Sequence, residues 1–289
     1  METWMVYTLL SAVFAGIYNF MLKVVAERGY NNYLFTFWDY LFATITTGIA
    51  LVYYLTQYTI SIDIFYMTSL FATITTIFFI LSVFTRVESM RNIDTVIFYP
   101  LYKTFGPIMV TGVSILFFHE TLSLNEIWWI VLWICVPLLL LTKAENKIQK
   151  NLLLWVWLII ATAILSTIST IGTKWIMFYG LNVVLFLFVR SFIWVIFSGI
   201  SYKIHKYKRN ETYNNIWMLS FCFWASLLHI GSSVFFVLAL SWNLAVVFTI
   251  NSFHILIPII LSIIFYGEHF NMKKGIVIAL SIVSILMFL

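Results

Sequence analysis

Lys103 lies in the stretch VIFYPLYKTFGPIMV, residues 96–110, with Pro100 on one side and Pro107 on the other. Proline has no N–H, so the carbonyl four residues earlier loses its helical partner. Pro107 frees the carbonyl of Lys103, and Pro258 frees that of His254, 258 − 107 = 151 residues later. A basic side chain beside an unpaired carbonyl in an apolar helix is tolerated where protein or a water-filled cavity satisfies both. Pro100, Pro107 and Pro258 are therefore expected to break their helices, and Lys103 and His254 to face a polar substrate. The structural alternative is that neighbouring helices satisfy both side chains and the prolines merely permit a bend. Asp39 and Arg190 form a second pair at the same offset. Asp39 reads as an ion-pair brace for Lys23, or as the holder of an amino group or a proton. Arg190 has no acid nearby in its own half, and Lys174 enters near the same face. Its planar fork suits a carboxylate or phosphate. His229 reads as a proton carrier or as a helix contact. Arg86 and Glu88 read as a solvated or gating pair at the end of a span. Tyr102 and Asn251 flank the breaks and are expected to line the site.

Composition says what must hold these residues. The chain has 289 residues, 63% of them hydrophobic and 9% charged, with a mean hydropathy of +1.01. A soluble domain carries about 25% charged residues, so a water-facing surface is excluded and the chain reads as an integral membrane protein. The net charge of +5 is no sign of nucleic-acid binding, because the basic residues sit in short loops, where they report topology. Cys135 and Cys222 lie in apolar segments and read as small buried residues rather than a disulfide or metal pair. The first apolar stretch lacks a basic leader and a cleavage site, and is expected to be a span rather than a removable signal peptide.

A crossing helix needs about 20 apolar residues. That ruler gives ten segments, 3–26, 33–56, 61–84, 94–118, 123–142, 152–177, 182–203, 216–239, 243–266 and 271–289, joined by short polar breaks. At the offset of 151, Lys23 meets Lys174, Gly29 meets Gly180, Asn31 meets Asn182 and Asn92 meets Asn243. Three residues are dropped after the proline, and Glu120 then meets Glu268. Matches at Lys, Gly, Asn, Pro and Glu in one register predict two homologous halves, 1–147 and 148–289. Five spans per half make the second half enter from the opposite face, which is the inverted-repeat plan of secondary transporters.

The segments PIMVTGVSILFFHETLSL and PIILSIIFYGEHFNMKKG each combine a proline, an apolar run, a glutamate and a turn into the next span. With the five-plus-five spans, they resemble the drug/metabolite transporter superfamily in its EamA-like branch. His119 stands where that family prefers glycine. The resemblance implies an all-α, ten-helix fold and a cargo among amino acids, other metabolites, drugs, nucleotide sugars or lipid-linked sugars.

The expected function is secondary transport of a small anionic or zwitterionic metabolite by alternating access, with an amino acid as first choice and protons as the candidate coupling ion. A flippase for lipid-linked sugars shares the fold and is the alternative. A multispan membrane enzyme is disfavoured: there is no HExxH, and Asp39, Asp63 and Asp94 are the only aspartates. No nucleotide-binding loop, cofactor or metal is expected. Partners are the bilayer of a cell or plasma membrane and the solute, with the chain as monomer or homodimer. Twelve of the sixteen Lys and Arg fall at odd-numbered connections, the other four being Lys23, Lys103, Lys174 and Arg190 within spans. The positive-inside rule then puts the odd connections in the cytoplasm and both termini outside, whereas the family resemblance implies the reverse.

Overall fold

The structure, a computed structural model, describes residues 2–28, 30–92, 95–138, 152–206 and 216–266, with 275, 276, 279, 280 and 283. Within the helices, the side chains of Glu88, Pro100 and Lys103 lie outside the described residues. Everything described that has regular structure is helical: α1 Thr3–Glu27, α2 Asn32–Gln57, α3 Ile62–Asn92, α4 Thr95–Phe118, α5 Leu124–Leu138, α6 Leu152–Phe178, α7 Val183–Lys206 and α8 Ile216–Ala239. The ninth segment is split into α9 Leu244–Asn251, a 3₁₀ turn Ser252–Ile255 and α10 Leu256–Tyr266. The segment expected at 271–289 falls almost wholly outside the described residues.

Seven of the described segments are long and apolar enough to cross a membrane. Helix is the form that satisfies every backbone group within one segment, as lipid requires. The polarity is distributed as a bilayer demands. Ile49, Leu116, Trp128 and Trp217 are exposed at 67–76%, while Thr8, Ser11, Asp39, Thr76, Ser82 and Ser226 are fully buried. The chain is an α-helical, multi-pass membrane protein.

The most extensive helix packing is α3 on α6, α2 on α7 and α1 on α8, with α4 against α6 and α9, and α1 against the 3₁₀ turn and α10. Glycine permits several close approaches. A Cβ on Gly16 would lie 2.5 Å from Ile257 of α10, one on Gly231 would lie 2.7 Å from Phe14, and one on Gly172 would overlap Thr75 of α3.

Two turns are built alike. Between α1 and α2, Tyr30 N–H donates to Val25 O at 3.0 Å, and Asn31 caps α2 by accepting from Leu34 N–H. Between α6 and α7, Leu181 N–H donates to Ile176 O at 2.9 Å, and Asn182 accepts from Leu185 N–H. Every atom of the second set lies 181 − 30 = 151 residues after its counterpart. Gly180, at φ +60°, makes the left-handed step that ends α6.

The structure corrects the expected breaks. α4 runs as one helix through Pro100 and Pro107, whereas the ninth segment is interrupted just before Pro258. Each proline removes one hydrogen bond, which flanking turns can carry. The ninth segment also holds side chains that compete for its backbone: Thr249 Oγ1 donates to Ala245 O, Ser252 Oγ donates to Phe248 O, and His254 Nδ1 bonds Asn251 O at 2.7 Å. Together with the missing N–H of Pro258 they tighten this turn to 3₁₀.

Beyond the cavity, a polar knot joins the α4–α5 and α8–α9 turns to α6. Lys174 Nζ lies 2.9 Å from Glu120 Oε1, donates to Leu240 O at 2.8 Å and also donates to Trp242 O. Glu120 Oε2 accepts from the Ser114 hydroxyl and, at 2.7 Å, from Leu244 N–H at the start of α9. On the same turn Trp242 stacks on Trp4 of α1, rings 5.3 Å apart and 4° from parallel. Lys174 therefore belongs to this knot, with Glu120 rather than Arg190 as its neighbour.

Candidate functional site

Seven helices and the 3₁₀ turn line a cavity of about 270 Å³. Its basic wall comes from Arg86 of α3 and Arg190 of α7, with His229 of α8 and His254 of the 3₁₀ turn. Its hydrogen-bonding wall is a stripe on α6, Ser166, Ser169, Thr170 and Thr173, facing Ser232 and Ser233 of α8 and Asn19 of α1. The α6 residues recur at i, i+3, i+4 and i+7, one face of a helix. Tyr18, Phe79, Tyr102 and Phe248 supply aromatic surface. Among the described residues no carboxylate lines the cavity.

Arg86 is held in place: its Nη2 donates to Tyr102 Oη at 2.7 Å, its guanidinium lies 4.7 Å from the centre of that ring, and Tyr102 Oη donates on to Ser166 at 3.1 Å. Its Nε is buried without a hydrogen-bond partner among the described residues. Arg190 makes no hydrogen bond or ion pair among the described residues, and its guanidinium sits 5.0 Å from the centre of the Phe79 ring. Phe79 and Arg86 are seven residues apart on α3, so they share a face about 10 Å apart. The cavity thus offers guanidinium donors at two depths. The single Ser11 hydroxyl proton lies between two acceptors, Asn251 Oδ1 at 3.0 Å and Ser232 O at 2.9 Å, which ties α1, α8 and α9 together along one edge.

Of the expected site residues, Arg86, Tyr102, Arg190, His229, Asn251 and His254 meet at this one cavity. Pro100, Pro107 and Pro258 are absent from its described lining. The expected roles of Lys103 and Glu88 rest on side chains outside the described residues. Arg86 corrects its expected place at a helix end, because α3 continues to Asn92 and carries it inward. Asp39 is fully buried behind the wall. Its Oδ2 accepts from Tyr18 Oη at 2.7 Å and lies 3.5 Å from His229 Nδ1. Among the described residues Asp39 thus pairs with Tyr18 and His229 rather than with the expected Lys23; Lys23 Nζ lies 5.5 Å from the centre of the Tyr266 ring. The Ser/Thr stripe of α6 was missed by the sequence reading, although its helical spacing in STISTIGTK was there to be seen.

A ring of aromatics frames His229. Tyr18 stacks on it at 4.8 Å, Tyr40 meets it edge-on at 5.1 Å, and Tyr40 in turn stacks on Trp194 at 4.7 Å. A smaller void of about 20 Å³, room for about one water, is bordered by Tyr40, Arg190, His229 and Ser233.

No family profile matches the chain, and no curated protein matches it. Solved structures do, 28 chains in all. One of them, described only as "Crystal structure of protein", superposes with a TM-score of 0.72 over 97% of this chain and 96% of its own, at 10% sequence identity. At that identity the likeness is one of fold.

Proposed function

We propose that the chain is a secondary transporter, similar to the drug/metabolite transporter superfamily, that moves a small anionic or zwitterionic solute by alternating access between two inverted five-helix halves. The observation that carries this is the cavity: two arginines, two histidines and a hydroxyl-rich face, with no carboxylate in the described lining. Buried guanidinium groups are costly unless a ligand or water compensates them, and an anion supplies that compensation. Both proposed halves contribute, Arg86 and Tyr102 from the first and Arg190, His229 and His254 from the second.

Several features support the repeat. The α1–α2 and α6–α7 turns use the same bonds at one offset. Exchanging α1 with α6 and α3 with α8 turns the α1–α8 packing into the α6–α3 packing, and α2 on α7 maps onto itself. The core follows the same exchange. Val25 and Phe35 cluster with Cys222 of α8, while Ile176 and Phe186 cluster with Phe71 of α3, and 222 − 71 is again 151. A cavity of about 270 Å³ suits a metabolite; a lipid-linked saccharide would need more room.

The test is uptake into liposomes by the purified protein, over a panel of carboxylates, amino acids, phosphates and organic cations, with and without a pH gradient. Arg190→Gln should lower transport of the preferred anion at least tenfold. Arg190→Lys should recover it in part, since a point charge lacks the planar fork. Preference for an organic cation, unchanged in Arg190→Gln, would refute the reading.

A further inference from the structure

Asp39 is fully buried, yet its Oδ1 has no hydrogen-bond partner among the described residues. Its Oδ2 holds Tyr18, and His229 Nδ1 waits 3.5 Å from that same oxygen, itself buried without a hydrogen bond among the described residues. A carboxylate in this position is costly as a lone anion. A proton relieves it, placed either on the carboxyl or on the imidazole, where it would close the short gap as a charged pair. At 3.5 Å the two groups are close enough for one proton to serve both. His229 also lines the cavity, which gives the proton a way in and out.

The groups facing the dyad are Tyr18 of α1, Tyr40 of α2, Arg190 of α7 across the small void, and the Cys222 thiol of α8 within electrostatic range of Asp39. Of these only Arg190 is charged where an imidazole titrates. The charge count of the trio is simple. Arg190 and an ionised Asp39 cancel. Adding the proton leaves one positive charge, and adding a monoanion at Arg190 cancels it again. Arg86 lies about 10 Å further along α3, tied to Tyr102, and its charge is the same in every state.

We propose that the Asp39–His229 dyad is the binding site of a proton that travels with the anion held by Arg190. The proposal rests on the transport reading of the cavity. Empty trio and doubly loaded trio are both balanced, whereas anion alone or proton alone leaves a buried net charge, which a low-dielectric interior penalises. Binding of either ligand therefore favours the other, and the linkage is reciprocal. Anion affinity should rise as pH falls, and the coupled cycle should be electroneutral for a monoanion.

The test is calorimetry of the purified full chain in detergent with three monoanions, lactate, glutamate and pyruvate, as probes, each in two buffers of different ionisation heat, so that protons taken up on binding are counted. The wild type should take up close to one proton with whichever probe binds, at a pH where the dyad is unprotonated. His229→Gln should bind about tenfold more weakly there than the wild type does at low pH, with no proton uptake and no pH dependence. His229→Lys, with a fixed charge, should bind without proton uptake at the affinity of the protonated wild type, which separates loss of the proton site from loss of the fold. A probe that binds the wild type with no proton taken up overturns the dyad proposal and leaves the transport reading standing. If none of the three binds, both readings fall.

Discussion

Neutralising Glu120 tests the polar knot. Its side chain is 14% exposed and that of Lys174 only 8%, with 2.9 Å between the charged atoms. Removing one member of such a buried pair costs about 3–5 kcal/mol, because the survivor is left charged and dry. Each survivor here keeps some help. Lys174 retains the Leu240 and Trp242 carbonyls, and Glu120 retains Ser114 and the N–H of Leu244. The low end of the range is therefore expected, about 3 kcal/mol for Glu120→Gln and about the same for Lys174→Met. The double variant leaves no orphan charge. It should lose about 3 kcal/mol rather than about 6, a coupling of about 3 kcal/mol. At about 2 °C per kcal/mol for a chain of this size, each single variant should melt roughly 6 °C lower, and the double no lower than either. The protein supplies its own reporter. Cys222 is buried and Cys135 exposed, so in a Cys135→Ser background a thiol-reactive dye reads unfolding through Cys222 alone. Additive losses in the double variant, or single losses under about 1 kcal/mol, would show that the knot is a solvated surface contact after all.

His119 is exposed and holds φ +51°, so His119→Gly should raise the melting point by the equivalent of up to about 1 kcal/mol. Asn182→Ala removes the α7 cap and should cost about 1 kcal/mol in the same dye assay, as should Asn31→Ala at the α2 cap. Gly172→Ala, which in an open helix would help, should instead cost about 1–3 kcal/mol by overpacking against Thr75; adding Thr75→Ala should restore most of the loss, because the methyl in the way is its Cγ2. With Cys135 replaced, a cysteine at exposed Lys203 should resist an impermeant maleimide applied to intact cells, and its labelling would reverse the orientation expected from the loop charges.

Hydropathy located the helices closely: expected 216–239 is α8 Ile216–Ala239, and expected 33–56 is α2 Asn32–Gln57. Short polar caps also stood out, because Asn31 and Asn182 act on N–H groups two or three residues away. What stayed hidden depends on partners distant in sequence. Asp39 meets His229 across 229 − 39 = 190 residues, so depth alone pointed to Lys23. Arg86 looked terminal because its charge ends the apolar run, yet the helix continues for six more residues. Pro100 and Pro107 were read by residue type, but whether a proline interrupts a helix depends on the side chains around it, as Ser252 and His254 show before Pro258.

The stacked indoles of Trp4 and Trp242 make the first turn of the chain an optical partner of the α8–α9 turn. Two parallel chromophores at 5.3 Å share their excited state, and the resulting near-ultraviolet dichroism band should vanish in Trp4→Phe. Because Trp242 also gives its carbonyl to Lys174, that band is a label-free signal of whether the α8–α9 turn is closed. It can be followed in real time while solute is mixed with unmodified protein.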